Sequence, residues 1–182
     1  MKSDKSRHLL HEADELGHEA RIVQDDQAAL KLWLRLLACT NQIEDEIRIR
    51  LRENFNITLA RFDYLAQLDR KPDGLMMKEI SRNLMVTGGN ITTLTDELES
   101  EGLIEREHPQ NDRRSWLVRL SDKGRKSFRK MAAEHERWIL EIFSTLDAKS
   151  IQQLTTHLGT LRVHVVDVQG KRKAAAQTLR GK

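Results

Sequence analysis

The chain has 182 residues, of which 38% are hydrophobic, 32% charged and 4% aromatic. That is enough apolar material for one modest core and poor material for a deep aromatic-lined catalytic pocket. A net charge of +3 is too small to attract polyanions in bulk, so any nucleic-acid binding must rest on local clusters of Lys and Arg. A single cysteine, with neither a signal peptide nor a long apolar run, points to a soluble, cytoplasmic protein.

Residues 1–25 read as a polar N-terminal arm, with Leu9, Leu10, Leu16 and Ile22 hinting at a loose helix. His8 and His11 fall one helical turn apart, which a metal ion can use, but two ligands without a third are weak grounds for a metal site. The expectation is no metal and no cofactor. From Asp26 a long helix is predicted, because Leu32, Leu36, Cys39, Ile43 and Ile47 recur at helical spacing and no Gly or Pro intervenes before Asn54. Leu30, Trp33, Leu34 and Leu37 widen its apolar surface beyond one face. Such a helix wants two neighbours, here the domain body and a second subunit.

Cys39 lies within that stripe, which favours a buried structural thiol; the alternative is a redox-sensing thiolate, which needs a lowered pKa and accessible surroundings. Arg48, Arg50, Arg52 and Arg61 gather near the next predicted helix, Ile57 to Leu68. They read either as solvated faces and ion pairs or as part of an anionic effector site.

Lys71 to Gly74 is a turn, and Leu75 to Met77 can add a short strand. Met77 to Leu84 has the apolar spacing of a short helix, broken at Met85 to Thr87. A second helix follows with Ile91, Leu94 and Leu98 on one face, Thr87 as its N-cap and Gly102 as its stop. Its opposite face near the N-terminus carries Gly88, Gly89, Asn90, Thr92 and Thr93. Surface helices are usually covered with Lys and Glu, whereas a helix entering a major groove needs short polar groups and no negative charge at its leading end. Asp96, Glu97, Glu99 and Glu101 come only further along. The pair reads as a helix-turn-helix whose second helix is the reader.

Ile104 to His108 and Ser115 to Leu120, joined by the turn Pro109 to Arg114, predict a hairpin. Arg113 and Arg114 at its tip, behind Asp112, suit the negative potential of a narrow minor groove. Ser121 is then an N-cap candidate, and Phe128, Met131, His135, Trp138 and Ile142 form a heptad-like seam. His135 is read as a core or interface histidine, with an effector pocket as the alternative. Asp147 caps a last helix bearing Ile151, Leu154, Leu158, Leu161, Val165 and Val168. The tail 170–182 is basic and expected to be frayed, adding at most unspecific phosphate attraction.

The run LMVTGGNITTLTDELESEGLIEREHPQNDRRSWLVRLSDKG, with its NDRR turn and its LSDKG helix start, resembles the winged-helix core of the MarR family of bacterial transcription regulators. The similarity spans roughly Gln27 to Val168. It implies a mainly α fold with a small β-hairpin wing: a winged helix-turn-helix domain at 57–121 and a helical dimerisation region at 26–56 and 122–169. Thr87, Gly88, Asn90, Thr92 and Thr93 then face base edges and nearby phosphates. Arg113 and Arg114 carry the wing contact with Asp112 orienting a guanidinium, and Arg82 and Lys123 clamp phosphates. Many relatives have Arg or Ser where Gly88 stands.

The resemblance also implies a homodimer on double-stranded DNA, repressing until a small anionic aromatic ligand releases it. FNITLARFDYLAQL with MVTGGNIT is similar to the branch controlling aromatic-acid (hydroxycinnamate) catabolism, some of whose members answer to aryl-CoA thioesters. Arg48, Arg52, Arg61, Phe62 and His135 are the candidate effector residues. An enzyme is the reading from another class. It lacks support, since the chain has no P-loop, dinucleotide fingerprint, GxSxG or metal-spaced Cys/His set. A winged-helix module that binds protein rather than DNA is the remaining alternative.

Overall fold

The computed structural model describes residues 28–84, 88–109 and 115–180. The N-terminal arm with His8 and His11, the break before the reading helix with Thr87, and the wing tip with Asp112, Arg113 and Arg114 lie outside the described residues. Among the described residues six helices and three strands follow in order: α1 (Ala28–Phe55), α2 (Leu59–Asp69), β1 (Leu75–Met76), α3 (Met77–Leu84), α4 (Gly88–Ser100), β2 (Ile104–Glu107), β3 (Leu117–Leu120), α5 (Asp122–Ile142) and α6 (Ala148–Arg180). The mainly helical fold with a small sheet is the one expected. The chain divides into two compact units, the first ending at Trp138 and the second beginning at Ile139.

In the first unit α1 is uninterrupted because nothing between Ala28 and Phe55 breaks a helix, yet it buries only Ile47 and Leu51, one turn apart. It stops at Asn56, whose φ of 50° is the left-handed conformation that asparagine tolerates better than most residues. Thr58 caps α2 by accepting from the Arg61 amide at 3.3 Å. Phe62, Tyr64, Leu65 and Leu68 then turn inward. The core closes with Phe128 5.5 Å from Phe62, and Trp138 6.2 Å from Phe55, centroid to centroid.

One expectation along α1 is corrected, and of the two readings of its arginines the ion pairs are seen. Cys39 is exposed rather than buried, because the apolar N-terminal half of the helix has no neighbour among the described residues; Leu32 and Trp33 are each 56% exposed. The arginines gathered there are largely committed to carboxylates: Arg48 pairs with Glu44 and Asp45, and Arg50 with Glu46 at 2.6 Å.

The sheet has the order β1-β3-β2, all antiparallel, with Ile104 opposite Leu120 and Leu75 opposite Val118. The third strand expected before α3 is therefore present, two residues long. Gly74 turns into it at φ +94° and passes so close to Val118 that a Cβ would sit 2.8 Å from that carbonyl oxygen.

A buried polar pair joins α2 to α4. The Tyr64 hydroxyl and Thr95 Oγ1 are 2.7 Å apart and both residues are fully enclosed. Thr95 Oγ1 already donates to the Ile91 carbonyl at 2.7 Å, so the phenol is the donor of the pair. Burial pushes that phenol up to about 12 and keeps it protonated. Thr95→Val strands the phenol without an acceptor and is expected to cost about 2 kcal/mol, whereas Tyr64→Phe, which leaves Thr95 bonded to Ile91, should cost about 1 kcal/mol. Urea denaturation of the two variants checks the order; equal losses would deny the assigned donor.

In the second unit α6 begins at its expected cap, with the Ser150 amide donating to Asp147 Oδ1 at 2.7 Å, a bond that holds the Asp147 carboxyl below its usual range. The helix does not fray at Gly170 but runs on to Arg180. A helical glycine costs about 1 kcal/mol, and the good helix formers from Lys171 to Gln177 outweigh it. Leu154, Leu158, Leu161 and Val165 are all exposed along it. No helix of the described residues is long and apolar enough to cross a membrane.

Candidate nucleic-acid interface

The helix-turn-helix takes its shape from which side of α4 is apolar. Ile91, Thr95 and Leu98 are buried against the unit while Asn90, Thr92 and Thr93 are exposed, so the first turns present short uncharged hydrogen-bonding groups outward. Gly88 opens the helix. Arg82 lies exposed in the last turn of α3, the element just before it.

The far end of α4 closes on Gly102, at φ +68°. The Leu103 amide reaches back to the Leu98 carbonyl at 2.9 Å and the Gly102 amide to Glu99 at 2.8 Å, the paired bonds of a Schellman stop. Here the structure separates one expected contact from the rest. Lys123 Nζ donates to the Glu101 carbonyl at 2.6 Å, at the opposite end of α4 and ~18 Å along its axis from the polar tip. It is held there because a cation near a helix C-terminus satisfies carbonyls that have no partner within the helix.

Sequence reasoning missed the residue that ties wing to reader. Arg106 of β2 places Nη1 2.7 Å from Asp96 and Nη2 2.7 Å from Glu99, both on α4. Its guanidinium also lies 5.1 Å from the centre of the Trp116 ring, and His108 stacks on that ring at 3.7 Å. The wing base is thus fixed to the reading helix by charge-assisted bonds and a stacked ring. The same guanidinium neutralises two of the carboxylates of α4, Asp96 nearest its polar half among them, lowering the repulsion they would exert on phosphates. The only signal in sequence was the i, i+3 spacing of Asp96 and Glu99, which does not name its partner.

The candidate effector residues fall into separate places. Arg48 and Arg52 line a cleft of 400 Å³ together with Asp63, Leu84 and Leu94, reaching from α1 and α2 to the two helices of the helix-turn-helix. Among the described residues Arg52 has no carboxylate partner, unlike Arg48. Arg61 lies on another cleft, ion-paired to Glu101. Phe62 is buried and contacts the His135 ring at 4.9 Å.

Burial holds His135 below its ordinary 6.5, with the charge of Asp63 opposing, while burial raises Asp63 above 3.8. As the pH falls through 6.5 the unfolded chain takes up this proton before the folded one, so stability present above 6.5 is lost toward the depressed value of the folded state. Replacing His135 with Phe, which keeps a ring against Phe62, should shallow the loss of urea midpoint between neutral and mildly acidic pH. A steeper loss would reverse the assigned sign.

A sequence profile of the MarR family matches residues 57–116. The HTH-type transcriptional regulator PecS of Dickeya dadantii is 30% identical over 141 residues, covering 75% of this chain and 83% of PecS. An uncharacterised HTH-type transcriptional regulator of Bacillus cereus is 27% identical over 142 residues, covering 78% and 92%. Among solved structures, a MarR family transcriptional regulator from Silicibacter pomeroyi superposes with a TM-score of 0.66 at 26% identity over 79% of this chain and 99% of its own. Streptococcus pneumoniae FabT, solved in complex with DNA, shares the fold with a TM-score of 0.66 at 24% identity, over 77% and 99%.

Proposed function

This chain belongs to the MarR family of DNA-binding transcriptional regulators, and on that premise we propose that it is a homodimeric cytoplasmic repressor released from a pseudo-palindromic operator by a small anionic aromatic ligand or its CoA thioester. One observation carries the DNA reading: the exposed start of α4 holds Asn90, Thr92 and Thr93 and no charge, while its carboxylates come later and two of them are matched by Arg106. Asn90 can bond an adenine edge bidentately, and the threonines can reach bases, phosphates or thymine methyls. That FabT was solved on DNA with the same fold supports the placement.

Dimerisation is supported by apolar surface left open in each unit, at Leu32, Trp33 and Leu37 of α1 and at Leu154, Leu158 and Leu161 of α6. Exposed apolar area of this extent marks a protein contact. Two readers related by a two-fold axis would meet half-sites about one helical turn (~10 bp) apart. The effector is assigned to the Arg48–Arg52 cleft, because Arg52 offers a guanidinium with no carboxylate partner among the described residues beside the apolar Leu84 and Leu94, which belong to the helix-turn-helix itself. A ligand seated there and preferring another placement of the two readers must weaken DNA binding by the factor that DNA weakens its own.

A thermal-shift screen of aromatic acids and their CoA thioesters, followed by gel shifts, tests the reading. A compound that raises the melting temperature and releases the duplex supports it. A monomer at micromolar concentration, or a hit that leaves the DNA complex intact, counts against it.

A further inference from the structure

The net charge of the chain is only +3, but it is unevenly spread. Lys123 to Lys130 reads KGRKSFRK, with five cations in eight residues and no carboxylate among them. The run fills the first turns of α5, whose Gly124, Phe128 and Met131 turn inward. Lys126, Arg129, Lys130 and Ala133 follow at i, i+3, i+4 and i+7 on the other side, and all four are exposed.

Other surface cations of this unit find carboxylates. Arg48 pairs with Glu44 and Asp45, Arg119 with Glu105 and Glu107, and Arg137 with Glu134 further along α5. Lys126, Arg129 and Lys130 pair with none among the described residues. Like charges three and four positions apart work against a helix, and cations in its first turns meet the positive end of the backbone dipole. The packing of Phe128 and Met131 holds α5 in place against both costs, which a bound polyanion would offset.

The chemistry of the face narrows the partner. Between Lys123 and Ala133 no apolar side chain larger than alanine is exposed. A protein partner would want an aromatic or aliphatic anchor, and interfaces are poor in lysine. Single-stranded nucleic acid would want rings on which its bases stack. Clustered lysine and arginine with neither suit the backbone of a duplex, whose closely spaced phosphates ask only for positive charge.

The place of the face in the fold separates it from the operator. Lys123, where the run begins, reaches the carbonyl end of α4, ~18 Å along that helix from its polar tip, whereas a major groove is only about 8.5 Å deep. We propose that the exposed basic face of α5 holds the phosphate backbone of a second duplex while the tips of α4 hold the operator. The regulator then bridges two DNA segments, the second without regard to sequence. This rests on the reading of α4 as the operator-binding helix.

A two-colour gel shift on the full chain tests it. The protein is saturated with a short operator duplex, obtained by selection and carrying one dye, and a scrambled duplex carrying another is then titrated in at low salt. The wild type should carry both dyes in one slower band. Its affinity for the second duplex should fall with salt at a slope of about 3, since each neutralised phosphate contributes about 0.9. Lys126→Ala with Arg129→Ala and Lys130→Ala should weaken the second duplex at least ~tenfold and leave operator affinity and helical content unchanged. Lys126→Arg with Arg129→Lys and Lys130→Arg, which keeps the charge, should restore it. A wild type that never carries both dyes, or an alanine variant that carries them as the wild type does, would overturn the proposal. So would a tenfold loss of operator affinity in the alanine variant, which would put this face on the operator, or poly-glutamate outcompeting duplex at equal charge, which would make the partner an acidic protein. Arg113→Ala with Arg114→Ala should do the reverse, losing the operator and keeping the scrambled duplex. Were that variant to keep the operator, the wing reading falls and the α5 face is still decided by its own variants.

Discussion

Alanine at Gly124 is expected to cost on the order of 4 kcal/mol, beyond the usual penalty for overpacking a core and close to the whole stability of a small domain. A Cβ built there lies 1.8 Å from the carbonyl oxygen and 2.8 Å from the carbonyl carbon of Leu103. Both atoms are backbone, so no rotamer change relieves the clash; α5 would have to move bodily away from the tail of α4. That approach is close because the corner is stitched. The Ser121 amide donates to the Leu103 carbonyl at 3.1 Å, Ser121 Oγ to Gly102 at 2.6 Å, and the Gly124 amide back to Ser121 Oγ at 2.9 Å.

Gly102 and Gly159 serve as controls. At Gly102 a Cβ meets nothing nearer than Lys123 Cδ at 4.0 Å, so alanine there costs only its left-handed backbone, about 1–2 kcal/mol. At Gly159 nothing lies within 4 Å. Urea denaturation followed by far-ultraviolet circular dichroism should rank Gly124→Ala far below Gly102→Ala. A Gly124→Ala protein with the wild-type midpoint would mean that α5 slides freely on Leu103 and that the stitched corner does not position the reading helix.

That corner illustrates what could be read from the chain before its fold was known. Ser121 as a cap, Asp147 as a cap, Gly102 as a stop and the apolar face of α4 are legible because each depends on residues within five positions of one another. The small uncharged tip of α4 is legible for the same reason. What Gly124 is for was not, since the atom it must clear belongs to Leu103, on the far side of the hairpin. Arg61 shows the limit more sharply. As one of several arginines near α1 and α2 it suggested an effector site shared with Arg48 and Arg52, but its partner Glu101 is 40 residues away, and the fold turns it to a different cleft.

Cys39 and Lys123 make the same point in opposite directions. The stripe holding Cys39 implied burial, which the described residues do not supply. Lys123, grouped with Arg82 as a phosphate clamp, is drawn instead to the carbonyl end of α4. Periodicity says which face is apolar; it does not say what covers that face or which charge a long cation will find.

Removing both wing arginines, Arg113→Ala with Arg114→Ala, is expected to weaken operator binding about a thousandfold without disturbing the dimer. The proposed dimer would present four such guanidiniums, and at ~1 kcal/mol for each the total is about 4 kcal/mol, near three orders of magnitude in affinity. The ribbon that would present them is anchored at its base by Arg106 on Asp96 and Glu99, so the loss is one of charge and hydrogen bonding rather than of wing placement. Two signatures separate this from damage to the fold. Each guanidinium that neutralises a phosphate contributes about 0.9 to the slope of log affinity against log salt, so the variant's slope must become shallower. Asn90→Ala, by contrast, removes a contact to a base edge. It should relax preference at one position of each half-site, by roughly 1–3 kcal/mol, and leave the salt slope alone. Gel shifts over a salt series, on operator and on scrambled duplex, measure both. A wing variant with unchanged affinity and slope would place the DNA elsewhere on this protein, and a flattened salt slope in Asn90→Ala would turn that residue from a reader of bases into a holder of phosphate.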